Sequence, residues 1–189
     1  MNFKRGRQAR DLTKFGTTMT LPSDRTSRCL LPDEPLPAYA HVPGHTPHPL
    51  SNPAGHSYGS AVDISPLDPP CWKKNRTYLR GLDLFNHGYY WEAHEAWEGL
   101  WKAAEPGATR DFLKGLIQLA VAGVKRMQGL PDGVRIHARR AAELWSSVDE
   151  KQYLGFEVPA LVALAERIAR DGWPGVAPLF IPNRDEADV

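Results

Sequence analysis

The chain has 189 residues, of which 42% are hydrophobic, 10% aromatic and 24% charged, with a formal net charge of +1 at neutral pH. This is the composition of one globular domain plus tails, and it excludes a wholly disordered or fibrous chain. No stretch reaches the roughly 18 to 20 uninterrupted apolar residues of a membrane helix, and the charged start lacks a secretory apolar core, so the expectation is a cytoplasmic protein with no membrane partner.

Residues 1–28 hold seven Lys/Arg against Asp11 and Asp24. Residues 1–21 read as a disordered basic tail, and Met19 offers a second start that would leave most of it untranslated. From residue 72 onward 16 basic and 16 acidic side chains balance, so the folded part lacks the single-sign surface of a nucleic-acid binder.

Eleven of the 17 prolines fall between residues 22 and 70. Proline removes a donor and biases its predecessor away from helix, so residues 22–71 are expected to form an extended Pro/His-rich arm. It carries four of the seven histidines, in His41-Val-Pro-Gly-His45-Thr-Pro-His48-Pro and Gly55-His56-Ser57-Tyr58-Gly59. Cys29 and Cys71 show no close-spaced metal or redox pattern and no patterned histidine partner, which suits a reducing compartment and disfavours a thiol nucleophile.

From Trp72 the apolar period changes to about 3.6 residues and strand-like alternation is absent. The expectation is an all-α domain over residues 72–175, a compact bundle of about five helices near 73–87, 89–104, 109–128, 132–148 and 158–171, followed by a tail over 176–189. Gly88 suits a left-handed C′ position, Pro106-Gly107 ends the second helix, Thr109 is placed to cap the third, and Gly129 to Gly133 form the next turn. The third helix is apolar round most of its circumference and reads as central, with Gly115 and Gly123 allowing close approach.

The run Phe85-Asn86-His87-Gly88-Tyr89-Tyr90-Trp91-Glu92-Ala93-His94-Glu95-Ala96-Trp97-Glu98, followed by Phe112-Leu113-Lys114-Gly115-Leu116-Ile117-Gln118-Leu119-Ala120, resembles a bacterial helical family known as domain of unknown function 309. The likeness covers about residues 74–145, and arm segments around Pro43-Gly44 and Pro47-His48-Pro49 through Ser57 resemble those of some members. It implies a compact helical bundle and carries over no activity. Gly88 to Ala93 is also similar to a tetratricopeptide hairpin, but a second copy would be offset by 41 or 45 residues rather than 34, which argues against a solenoid.

On the second helix Tyr90, Ala93, Trp97, Leu100, Trp101 and Ala104 share a face, with His94 inside it and Glu98 at its edge. Glu95 sits one step toward solvent and Glu92 lies nearly opposite the apolar centre. His94 and Glu98, four apart, can meet, and Glu95 can support them as an acid/base set or as ligands of a divalent metal. The spacing matches neither His-Glu-x-x-His nor Glu-x-x-His, so a metal needs further ligands. His48 and His56 of the arm are the candidates, with His137 and Gln118 behind them, while His41 and His45 are set aside.

Alternative readings stand beside these. The His94/Glu98 couple could be a satisfied structural pair. Trp91, Trp97, Trp101 and Trp145 read as core rather than as a stacking platform, Lys114, Gln118 and Lys125 as a solvated stripe, and Asn86 as a turn stabiliser. Dinucleotide-binding, phosphate-loop and Gly-x-Ser-x-Gly signals are missing, which disfavours nucleotide-driven and serine-hydrolase chemistry. Two function classes remain: a metal-assisted or acid/base enzyme, hydrolytic in type, in which His48, His56, His94 and Glu98 converge, or a non-catalytic module that binds a small molecule or protein partner through the hairpin around Gly88.

Overall fold

The structure, a computed structural model, describes residues 29–60, 65–174 and 182. The expected basic tail and all of the expected C-terminal tail except Pro182 lie outside the described residues. Five helices follow one another: α1 Arg76–Asn86, α2 Tyr90–Ala103, α3 Ala108–Met127, α4 Pro131–Ser146 and α5 Val158–Asp171. Each packs mainly on its neighbours in sequence, which short connections at 87–89, 104–107 and 128–130 favour. The expected all-α bundle is what the chain forms.

Local chemistry sets the helix ends. The first helix was expected from residue 73, but residues 69–74 form a separate 3-10 segment. Asn75 breaks it, because its side chain accepts the Tyr78 amide and so caps a fresh helix at Arg76. Gly88 has φ of 86° and its amide reaches the Phe85 carbonyl at 3.0 Å, while the Tyr89 amide reaches Leu84 at 2.8 Å. These paired bonds close α1 in a Schellman motif and aim α2 back along it.

Thr109 does not cap α3. Gly107 holds that position, and the Thr109 hydroxyl instead meets the Tyr153 hydroxyl at 2.6 Å. Pro131 and Gly133, expected in a turn, belong to the first turn of α4, where proline loses nothing because that amide has no helical acceptor. Strand pairing, unexpected from the sequence, is confined to a two-residue antiparallel pair, β1 Gln152–Tyr153 with β2 Phe156–Glu157.

The core runs through Phe85, Trp97, Leu100, Phe112, Leu116, Trp145 and Ile168, all fully buried. Among the four tryptophans expected in the core, Trp97 and Trp145 are there, whereas Trp91 and Trp101 are half-buried. Trp101 carries Lys114 4.0 Å and Arg110 4.6 Å from its ring centroid, so Lys114 is a cation–π partner rather than part of a solvated stripe.

The arm lies along α1 and α2, and complementary hydrogen bonding holds it there. Its proline-rich backbone has carbonyls without helical partners, and bundle side chains supply the donors: Arg80 to Glu34 O at 2.8 Å, Tyr89 to Pro37 O at 3.0 Å and Gln128 to Pro43 O at 3.3 Å. Two buried carboxylates accept its amides in return. Asp83 takes Leu30 at 2.8 Å and Leu31 at 2.9 Å, and Glu92 takes His41 at 2.8 Å. Satisfying an arm's backbone in this way is what allows a loop to cover a protein interior.

Candidate functional site

The arm leaves a cleft of about 630 Å³ between itself, α1 and α2, with Pro37, Pro49, Leu50, His56, Ser57, Arg80, Leu84, Glu92, Glu95 and Glu98 among its lining residues. A volume of this size suits a small ligand. Glu92, Glu95, Glu98 and Lys102 of α2 define its polar side. His94, Glu95 and Glu98 each offer a ligand atom within 4.8 Å of the others. Glu92, one turn earlier, is buried beneath the arm.

The helix period explains the trio. Positions 94 and 98 lie one turn apart on the same face, and 95 is three from 98, so three donors converge without any long-range contact. His94 Nδ1 is 3.2 Å from Glu95 Oε1, and Lys102 Nζ is 3.0 Å from Glu98 Oε2. The hydrogen bond from His94 is the main reason the Glu95 carboxyl sits below its usual range; partial burial opposes this, and the charges of His94, Lys102 and His48 add to it. All three side chains are half-buried, and Glu95 and Glu98 line the cleft. His94 therefore does not sit in the buried face of α2, where its position on the helix had placed it.

The arm histidines sit elsewhere than at His94. His56 Nε2 bonds Glu92 Oε1 at 3.1 Å and its Nδ1 meets Ser57 Oγ at 2.8 Å. His48 is exposed and lies edge-on to His41 and to Trp91, with centroids 5.3 and 5.1 Å apart. Its charge is felt at Glu95, which places it beside the trio rather than in it. His137 bonds Gln118 at 2.8 Å between α4 and α3, so these two satisfy each other and line no part of the cleft.

Sequence reasoning missed three residues here. Glu92, expected opposite the buried face, is 7% exposed because the arm covers that side. His41, set aside at the sequence level, is 4% exposed, packs edge-on to Trp91 at 4.9 Å and bonds Thr46 Oγ1 at 2.8 Å. Burial is the main cause of its lowered pKa, with the neighbouring His48 adding to it against the pull of Glu92. Asp83 is 1% exposed and anchors the arm's start. The signal available for all three was the arm's density of unpaired backbone groups, which demands donors and acceptors from the surface it covers.

Cys29 does meet a histidine, contrary to the sequence pattern: its Sγ is 3.7 Å from His87 Nε2. Burial and the nearby Asp83 raise its pKa, so the thiol is held neutral rather than activated.

Fold and site together define a helical-bundle protein with a His/Glu-lined cleft roofed by a proline-rich arm. The family model described as Domain of unknown function (DUF309) matches residues 78–136, a stretch that runs from α1 into α4. Glu92, His94, Glu95 and Glu98 fall inside the match, and the arm falls outside it. No curated protein matches the chain. Among the described residues no helix is long and apolar enough to cross a membrane.

Proposed function

We propose that the chain binds a divalent cation through His94, Glu95 and Glu98 and uses it hydrolytically on a small substrate held in the adjoining cleft. The observation that carries this reading is the convergence of three ligand atoms within 4.8 Å at the edge of a cleft of about 630 Å³. Ligand–metal distances near 2.1 Å require donors no more than about 4.2 Å apart, which small side-chain rotations achieve from this starting point. One imidazole and two carboxylates suit a first-row cation such as zinc or manganese. Three protein ligands leave a position for water or substrate, the arrangement found in catalytic rather than structural sites.

The second function class, a partner-binding hairpin around Gly88, finds less support. The exposed large apolar side chains among the described residues are Leu50, Tyr58, Met127, Leu130 and Ile136, none of them in that hairpin.

The test is elemental analysis of untagged protein purified without chelator or immobilised-metal resin, as wild type and as His94→Ala, with zinc and manganese titrations of each. Near one equivalent of metal in the wild type, lost in a folded His94→Ala, is the expected outcome. A folded wild type that carries no metal and takes up neither ion refutes the reading.

A further inference from the structure

We infer that Ser57, His56 and Glu92 form a nucleophile, base and orienting acid, giving the cleft a reactive serine directed at carboxylic esters with an apolar acyl group. The order of hydrogen bonds assigns the roles. A carboxylate can only accept, so the His56 nitrogen facing Glu92 Oε1 at 3.1 Å, Nε2, carries the ring hydrogen. Nδ1 of the neutral ring is then bare and accepts the Ser57 hydroxyl at 2.8 Å. These are the contacts of a serine–histidine–acid triad with the two ring nitrogens exchanged, and such triads are recognised by geometry and role rather than by sequence position. That is why the missing Gly-x-Ser-x-Gly signal does not exclude it.

The surroundings hold the set rigid and dry. The side chains of His56 and Glu92 are 8% and 6% exposed, and Tyr39 packs edge-on to the imidazole with centroids 4.7 Å apart. A Cβ at Gly55 would strike the carbonyls of His48 and Pro49, so only glycine allows the close turn that delivers His56. The Ser57 amide is fixed by the Pro49 carbonyl at 3.2 Å. Ser57 itself is half-buried in the cleft wall, beside Pro37, Pro49, Leu50 and Leu84, which gives the acyl group an apolar seat. The second oxygen of Glu92, Oε2, is buried without a hydrogen-bond partner among the described residues, an uncommon cost in a native protein that calls for an explanation such as function.

In the reaction Ser57 Oγ attacks the ester carbonyl carbon as its proton passes to His56 Nδ1, while Glu92 stays ionised against the imidazolium. The tetrahedral species collapses by breaking the bond to the alkoxy oxygen, which leaves with the proton from Nδ1. Water then cleaves the acyl-serine by the same transfers, releasing the acid. Because the Ser57 amide is already bonded to the Pro49 carbonyl, it cannot also bind an oxyanion, so acylation and deacylation are both expected to be slow.

This inference needs no cation, so it is tested with EDTA present and stands or falls apart from the metal reading. The full chain is treated with a fluorophosphonate, in which attack by Ser57 forms an O–P bond and expels fluoride, and the modified residue is located by peptide mass spectrometry. Ser57 is expected to react at least about tenfold faster than the exposed Ser51 and Ser60, and to lose about tenfold or more in His56→Gln and in Glu92→Gln. Labelling of Ser57 no faster than Ser51 and Ser60, or undiminished in both variants, overturns the inference. Should either variant release the arm, the comparison of three serines in the wild type decides alone.

Discussion

Two buried carboxylates pin the arm to the bundle, and their different satisfaction predicts a ranking. Asp83 is fully used, with Oδ1 taking the Leu30 amide at 2.8 Å and Oδ2 the Leu31 amide at 2.9 Å. Hydrogen bonds to a charged group contribute about 1.5–3 kcal/mol each, so Asp83→Ala should cost about 3–5 kcal/mol, including the buried amide it leaves without an acceptor. Glu92 also makes two bonds, but both converge on Oε1 while Oε2 is buried unpaired. The wild type thus already carries a desolvation cost of about 1–3 kcal/mol at Glu92, which Glu92→Ala removes, leaving a net loss of no more than about 4 kcal/mol. Asp83→Ala is therefore expected to be the more damaging by about 1–3 kcal/mol. Urea unfolding followed by tryptophan fluorescence and circular dichroism measures the difference. Thermolysin cleavage within residues 29–60 reports in parallel whether the arm opens before the bundle does. Equal losses, or a larger loss in Glu92→Ala, would refute the reasoning that an unpaired oxygen discounts the second anchor.

Gly115→Ala tests the packing of α3 on α4, because the added methyl would enter the indole of fully buried Trp145. Overpacking costs about 1–3 kcal/mol against a helix-propensity gain of about 1 kcal/mol, so a net loss of up to about 2 kcal/mol in chemical denaturation is expected and a stabilised variant would contradict it. Stability should also fall on mild acidification. Burial lowers the pKa of His41 and of His137, so each stays neutral in the fold where the unfolded chain would protonate. Their contribution is complete above the unfolded value near 6.5 and is lost as pH falls from there toward the depressed folded values. Glu95 is also lowered, but from the carboxylate range, so its contribution is lost only in more acidic solution and persists through this window. A Tm that drops between about pH 7.5 and 5.5, with a shallower drop in His41→Gln, is the expected result; a flat profile would show that burial does not hold His41 neutral.

The helices were readable because their causes are local. Apolar period, Gly88 and the break at Pro106-Gly107 placed four of the five within about two residues, and the misplacement at 73–75 arose from a cap, Asn75, whose bond to Tyr78 spans only three residues but competes with a continuous helix. The trio His94, Glu95 and Glu98 was readable for the same reason, since its spacing along one helix suffices to bring the atoms together. Glu92 was not. A helix period tells which side faces the bundle, and Glu92 is indeed away from the apolar centre; its burial comes from His41 and His56, 51 and 36 residues earlier in the chain. Asp83 is likewise 53 and 52 residues from Leu30 and Leu31, and His87 is 58 from Cys29. The sequence by itself thus determined the helices, their order and the polar stripe of α2, all products of contacts within a few residues. Only the tertiary structure decided where the proline-rich arm lies, because an arm without periodicity carries no directional signal and is positioned by hydrogen bonds to groups far away in the chain.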